Sequence, residues 1–379
     1  MLESYRQYCT KLQTTGNHRQ LPEDSAREPA PCLDFSSNDY LGLSQRKELL
    51  FSAIQAGERD GAGATGSRLL SGNRRIFETL ESRIALDKGT EAALVFNSGF
   101  QANLSVLSSL LDHRVLKAKP IVFFDRLNHA SLYQAIFLSG AELVRYRHLD
   151  VDHLSACLAK CRSNPRPKFI VTETLFGMDG DLLPLEDIVT LAREHRAFLY
   201  LDEAHAVGMI GTQGYGLSTR VESDVPSLTM GTLSKAVGCS GAYVACNAGL
   251  KDFLINKAAG FIYSTANSPM VVGAALKAWE MIPLFGRERK ALFALAHELR
   301  VRLSTAGFNT GTSVSHIIPL IIGNMDALTC LNDKLRQRGI RVSLVRSPTV
   351  PPGGERLRIA LNVNHTEQDV DQLMDALTS

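Results

Sequence analysis

Ala92-Ala93-Leu94-Val95-Phe96 runs directly into Asn97-Ser98-Gly99-Phe100-Gln101-Ala102-Asn103. Five apolar residues without polar alternation predict a strand buried on both faces, and the turn after it opens a helical pattern over Gly99–Leu111. The same grammar recurs outward from there. Apolar runs at Pro120–Phe124, Phe169–Thr172, Ala197–Leu201 and Ala242–Ala245 are separated by helical patterns such as Arg75–Lys88 and Leu185–Arg196. Runs of this kind alternating with helices predict βαβ units: an α/β fold whose mostly parallel sheet is covered on both faces. Ligands of such sheets bind at the carboxyl ends of the strands. The residues just after each run are therefore the first place to seek chemistry.

A different texture follows Pro269. A long helical stretch over Ala274–Leu303 precedes strand-like Ile317–Ile322, a helix over Ala327–Arg338, strand-like Val342–Leu344 and Leu357–Leu361, and a last helix from Glu367. These patterns predict an amino-terminal helix and arm over 1–38, a large α/β domain over 39–275 and a smaller α+β domain over 276–379. The arm includes the Pro/Glu/Ala-rich stretch Leu21–Pro31.

Composition narrows the function classes. With 379 residues, 45% hydrophobic and 21% charged, the chain can bury a sizeable core. Lys+Arg 41 against Asp+Glu 39 leaves a net charge of +2, no reason to expect a nucleic acid or an anionic membrane as partner. No run reaches the ~18 apolar residues that span a bilayer. Met1–Leu21 is polar and lacks the core of a signal peptide. The 7 Cys are odd in number and lack Cys-x-x-Cys spacing, which reads as reduced thiols in a cytoplasmic protein. No His-Glu-x-x-His or other metal cluster is present, so no metal is expected.

Four strand ends or nearby loops carry polar groups. The start of the Gly99 helix, with free N–H groups at Gly99 and Phe100, can cradle a phosphate, although an ordinary capped helix reads the same way. Asp125–Ser131 presents His129 in a loop, where a lone His is more often structural than functional. Asp202-Glu203-Ala204-His205 follows Ala197–Leu201, and an acid at a buried strand end needs a partner. That tetrapeptide resembles the acidic box of some helicases, but no G-x-x-x-x-G-K-[ST] loop exists, which excludes a P-loop ATPase. Thr229–Gly238 places Lys235 among small and apolar residues beside hydroxyls, a setting for a Schiff-base lysine or for an exposed loop lysine. Together these features point to pyridoxal 5′-phosphate, which needs a phosphate cradle, a ring-stacking His, an acid for its pyridine nitrogen and a lysine for its aldehyde.

At these residues the sequence resembles the α-oxoamine synthases, a family of fold-type I pyridoxal-phosphate enzymes. The resemblance runs from about Phe35 to near the carboxyl terminus. It is carried by Phe35-Ser-Ser-Asn-Asp-Tyr-Leu-Gly-Leu43, Gly63-Ala-Thr-Gly-Ser-Arg-Leu-Leu-Ser-Gly-Asn73, Met178-Asp-Gly-Asp181, Asp202-Glu-Ala-His205, Thr232-Leu-Ser-Lys235, Ile262-Tyr-Ser-Thr265, Ser347-Pro-Thr-Val-Pro351 and Arg356-Leu-Arg358.

Residue by residue, the resemblance implies that Lys235 carries the coenzyme and moves the substrate's α-proton. It implies that His129 stacks on the ring, Asp202 pairs with the ring nitrogen and His205 bonds the phenolic oxygen. Gly99, Phe100 and Thr232 would hold the phosphate, with Ser264 and Thr265 reaching it from a second subunit, so a homodimer with shared active sites is implied. Arg358 would hold the amino-acid carboxylate. Thr349 and Asn38 would line the substrate side, and Arg19 would meet the acyl chain. One departure stands out: the family's Phe-Ser-Met-Asp-Gly is here Phe176-Gly177-Met178-Asp179-Gly180, without the Ser hydroxyl that touches the coenzyme.

The implied reaction is a decarboxylative condensation of an amino acid with an acyl thioester. Gly66–Gly72 and Ser347–Pro351 are most similar to the members that join L-alanine to a pimeloyl thioester, carried on coenzyme A or on an acyl carrier protein. Glycine or serine with a different acyl thioester is the alternative within the family. A non-catalytic partner subunit of the same fold is the alternative outside catalysis, and a plain aminotransferase is a third.

Overall fold

The computed structural model describes residues 1–14, 18–19, 21 and 32–379, so most of the predicted arm at Leu21–Pro31 lies outside the described residues. The chain divides into two compact units: Asn38–Phe176 with Leu182–Arg289, and Met1–Ser37 with Gly177–Asp181 and Lys290–Ser379. The strands in chain order are β1 (Leu33–Asp34), β2 (Ala92–Phe96), β3 (Ile121–Asp125), β4 (Glu142–Tyr146), β5 (Lys168–Glu173), β6 (Phe198–Asp202), β7 (Ser227–Thr232), β8 (Ala242–Cys246), β9 (Ile317–Ile321), β10 (Ile340–Arg341), β11 (Ser343–Val345) and β12 (Arg356–Ala360).

The first unit is built on one seven-stranded sheet in the order β2-β8-β7-β6-β5-β3-β4. Neighbours from β4 through β7 pair in parallel, while β8 runs antiparallel to both β7 and β2. The runs read from sequence are apolar throughout because both sheet faces are covered. Val122 and Phe124 of β3 join one core with Leu94, Val171 and Tyr200. Ile121 and Phe123 join the other with Ile170, Leu199 and Leu201. Strand alternation sends successive residues to opposite faces, so one five-residue run feeds two cores. The edge strand β4 keeps exposed Glu142 and Arg145, which is why no apolar run marks it.

The predicted helix over Ala274–Leu303 is in fact two, Pro269–Met281 and Gly286–Thr305, separated by a 3₁₀ turn at Ile282–Phe285. Pro283 has no N–H to continue the ladder. The buried Arg289 guanidinium takes up freed backbone carbonyls there, including Ile282 O at 2.6 Å. The boundary expected near 275 falls inside Pro269–Met281, whereas the units divide after Arg289. That helix belongs with the sheet-bearing unit because it packs on Lys47–Asp60: Gly273 approaches so closely that a Cβ there would sit 2.6 Å from Ala56.

The second unit is α+β. Its antiparallel sheet has the order β11-β12-β9, with the parallel pair β1–β10 beside it. Helices Met325–Gln337 and Glu367–Thr378 accompany these strands, the latter opened by a capping box between Thr366 and Asp369. The Met178-Asp179-Gly180 loop is anchored on this unit. The Gly180 carbonyl accepts the Val314 and Ser315 N–H groups at 3.0 and 3.1 Å. Gly180 has φ +72°, and a Cβ there would lie 1.9 Å from Ile317 O, so glycine is required.

Candidate active site

In the first unit the candidate residues stand at strand ends. Asp202 closes β6, is 3% exposed and accepts from Asn103 Nδ2 at 2.7 Å and the Ala204 N–H at 2.9 Å. Asn103 is saturated: its other amide proton reaches Ser131 Oγ at 2.9 Å, and its Oδ1 accepts from Tyr200 OH at 2.8 Å. Burial and the nearby Asp202 charge hold the Tyr200 phenol well above its usual pKa, so it stays a donor.

Ser131 passes this network on to His129, the residue that caps the helix Ala130–Ser139. Its Oγ lies 2.7 Å from His129 Nδ1, and its N–H donates to the same nitrogen at 3.2 Å. Nδ1 is thus an acceptor, and the proton of the neutral ring belongs on Nε2. His129 is partly open to solvent, yet the protein packed round its ring holds its pKa below the ordinary value. Asp202 pulls that value up and Lys235 pushes it further down. Glu173, at the end of β5, accepts the His129 backbone N–H at 2.6 Å. Burial, then the Asp202 charge, hold its carboxyl well above the usual range.

A second hydrogen-bond chain has a single consistent polarity. Tyr40 OH donates to Asn38 Oδ1 at 2.9 Å, so its oxygen accepts from His205 Nδ1 at 2.7 Å. His205 Nε2 is then the acceptor for Lys235 Nζ at 2.7 Å. Lys235, half-buried in the bend after β7, therefore meets an imidazole nitrogen that carries no proton.

The residues expected to hold a phosphate lie near one another. Ser98 caps the helix Gly99–Leu110 by accepting the Gln101 N–H at 3.2 Å. A Cβ on Gly99 would lie 3.8 Å from Thr232 Oγ1, so the helix start and the Thr232 hydroxyl share one place. Within this chain Ser264 Oγ accepts from Gln101 Nε2 at 2.6 Å, and the Thr265 carbonyl accepts from Asn97 Nδ2 at 2.8 Å.

In the second unit Arg358, 3% exposed on β12, donates its Nε to the Gly177 carbonyl at 2.5 Å. Gly177, where the resemblance expects a Ser, thus holds an arginine through its backbone carbonyl. Arg356 pairs with Asp179 at 2.6 Å. His316 is fully buried, and burial with the charges of Arg358 and Arg300 lowers its pKa to about 3, so it stays neutral. Arg19 and Thr349, 330 positions apart in sequence, meet at 3.4 Å. Arg346 holds the His18 carbonyl at 2.6 Å.

Sequence reasoning missed Asn103, Ser131, Tyr40 and Glu173 as organising residues. Asn103 had a signal, a polar residue within the buried helical stripe of Ala102, Val106 and Leu110. Among the described residues no three His, Cys, Asp or Glu side chains converge to hold a metal ion, and no helix is long and apolar enough to cross a membrane.

Residues 30–377 match the family model for aminotransferase class I and II, and the chain belongs to that family. The chain is 44% identical over 355 residues to 8-amino-7-oxononanoate synthase of Gluconacetobacter diazotrophicus, covering 93% of this chain and 88% of the relative. Among solved structures it is similar to serine palmitoyltransferase from S. paucimobilis with a bound PLP–myriocin aldimine: TM-score 0.89, 25% identity, 99% of this chain and 96% of that one. It is also similar to 8-amino-7-oxononanoate synthase from Francisella tularensis, with TM-score 0.79 and 27% identity over 92% of this chain and 97% of that one.

Proposed function

We propose that this chain is a pyridoxal-phosphate-dependent α-oxoamine synthase that carries out the 8-amino-7-oxononanoate synthase reaction of biotin biosynthesis. L-Alanine and a pimeloyl thioester become 8-amino-7-oxononanoate, carbon dioxide and free thiol. The observation that carries the reading is the set at the strand ends: Lys235 on His205, Asp202 joined to His129 through Asn103 and Ser131, and Thr232 beside the Gly99 helix start.

The residues fit the coenzyme. Asp202 is a buried carboxylate whose hydrogen-bond donors, Asn103 and the Ala204 N–H, are both neutral, so a protonated ring nitrogen completes it. Gly99, Phe100 and Thr232 suit the phosphate, His129 the ring face, His205 the phenolic oxygen and Lys235 the aldehyde. Ser264 and Thr265 are assigned to the phosphate bound by a second copy, which makes the enzyme a homodimer. Its place is the cytoplasm.

When bound, pyridoxal phosphate supplies an electron sink for the pair left on the substrate's Cα. Asp202 keeps the ring nitrogen protonated. Lys235 Nζ takes the Cα proton of alanine as general base and later returns one. His129 donates Nε2–H to the thioester oxygen as negative charge develops on it. Arg358 grips the amino-acid carboxylate as a bidentate pair, with Asn38, Thr349 and Arg19 on the substrate side. The Cα–H bond breaks, the Cα–acyl bond forms as thiol departs, and the carboxylate leaves as carbon dioxide, its bond to Cα replaced by a proton.

A second reading, serine with a long-chain acyl thioester, is favoured by the higher TM-score to serine palmitoyltransferase. Mass spectrometry of products separates the two. Protein, coenzyme and pimeloyl and palmitoyl thioesters are incubated with L-alanine, glycine and L-serine in competition. The 8-amino-7-oxononanoate mass is expected to dominate. A dominant serine–palmitoyl product transfers the chain to the second reading, and no condensation product with any pair contradicts both.

A further inference from the structure

Glu203 lies between Asp202 and His205, and the mechanism above does not use it. Its side chain is 0% exposed and forms a salt bridge with Lys88, the last residue of the helix Arg75–Lys88, whose side chain is 1% exposed. Lys88 Nζ also donates to the Tyr215 carbonyl at 2.6 Å. The Ser218 N–H and hydroxyl each donate to the Glu203 carboxylate at 2.8 Å. Gly216, at φ +93°, lies directly on that carboxylate, since a Cβ there would be 2.2 Å from Oε2. The backbone of Glu203 is fixed too: its N–H donates to Met230 O at 2.8 Å, and its carbonyl accepts from Ala206 at 2.9 Å and Val207 at 3.1 Å.

A fully buried ion pair is weak evidence for stability, because desolvation offsets most of the attraction. What this one does have is place. It clamps the residue between the carboxylate and the imidazole assigned to the coenzyme. Glu203 directly follows Asp202 at the end of β6 and its backbone is held to Met230, so a shift of Glu203 is transmitted along the backbone to its neighbour.

We propose that the Lys88–Glu203 pair is a positioning device that fixes Asp202 and His205 for the coenzyme. The inference rests on the coenzyme reading above. Its consequence is that coenzyme affinity depends on two residues that do not touch the coenzyme. Outer partners of metal ligands typically change affinity by about 10–100-fold when removed, and an effect of that order is expected here.

The same layer carries a reporter. Trp279, the one Trp of the chain, stacks on Tyr215 at 5.1 Å and meets Tyr243 edge-on at 5.2 Å. Its emission reads whether the loop over Glu203 stays packed.

The experiment compares wild type with Lys88→Met/Glu203→Gln, which removes both charges together. Expected are unchanged Trp279 emission, a Tm of the coenzyme-free protein within about 4 °C of wild type, and a dissociation constant for pyridoxal phosphate at least about tenfold higher. The pH midpoint of the visible absorbance band is expected to move as well. Retained emission with unchanged affinity and midpoint overturns the inference and leaves the pair as a fold element. Should the double variant not fold, Ser218→Ala is read instead. It removes one hydrogen bond to Glu203 and is expected to weaken coenzyme binding about threefold, and unchanged affinity there overturns the inference. Wild-type protein that takes up no pyridoxal phosphate overturns the coenzyme reading itself, so the two failures are distinguishable.

Discussion

Two lysines donate to the same tetrapeptide, Asp202–His205, from contrasting surroundings. Lys88 is sealed from solvent against the Glu203 carboxylate, with the Tyr215 carbonyl and the Ser218 donors closing the cluster. Lys235 is half-buried and donates to an imidazole nitrogen, whose acceptor state is set by Tyr40 and Asn38 further along the chain. Lys88 thus faces a carboxylate, whereas Lys235 faces a neutral ring nitrogen, the setting that the proposed Schiff-base role asks for.

The largest expected effect comes from breaking the Lys235 side. Lys235→Ala should remove the visible band and lower turnover by about 10⁴-fold or more, with near-wild-type thermal unfolding. Persistence of both band and turnover would mean that the reactive lysine lies elsewhere. Asp202→Asn should bind the coenzyme yet slow turnover by about 10²–10³-fold, and unchanged steady-state kinetics would reduce Asp202 to a structural role.

Lys88→Met alone sharpens the contrast from the other side. It strands the Glu203 carboxylate at a cost of about 3–5 kcal/mol. The Tm of the coenzyme-free protein is therefore expected to fall by roughly 10 °C, at about 2–4 °C per kcal/mol. Lys235→Met should produce no comparable fall, and calorimetry showing equal falls for both variants would erase the distinction.

The pH dependence tests His129. Its surroundings disfavour the charged ring, so it stays neutral as pH falls through the ordinary value of 6.5. The acid limb of kcat/KM assigned to it should lie below 6.5 and move in Ser131→Ala, and a limb above 6.5 that ignores Ser131 contradicts the assignment. The smallest effect is expected from Tyr40→Phe. Losing both hydrogen bonds of the Tyr40 hydroxyl, to Asn38 and from His205, should lower kcat about threefold, with KM for alanine unchanged.

The layout of the sheet was legible because a strand covered on both faces must be apolar at every position, as in Ile121–Phe124. Where that condition fails, so did the reading: β4 keeps exposed Glu142 and Arg145 at the edge, and the break before Gly286 depends on Pro283 and the buried Arg289. The placement of Asp202, His129 and His205 near strand ends was legible because each follows an apolar run read from the sequence, and Lys235 stood out by its small and apolar neighbours. Asn103 and Ser131 were not, since their importance lies in hydrogen bonds between elements distant in sequence. Lys88 closes a helix where a solvent-facing lysine is the ordinary outcome. Only the fold turns it toward Glu203.

One measurement separates the two lysines directly. Protein incubated with pyridoxal phosphate is reduced with borohydride, digested and mapped by mass spectrometry. The account predicts the phosphopyridoxyl group on the peptide containing Lys235, with the Lys88 peptide unmodified. A label on Lys88, or no label on any lysine, would contradict it.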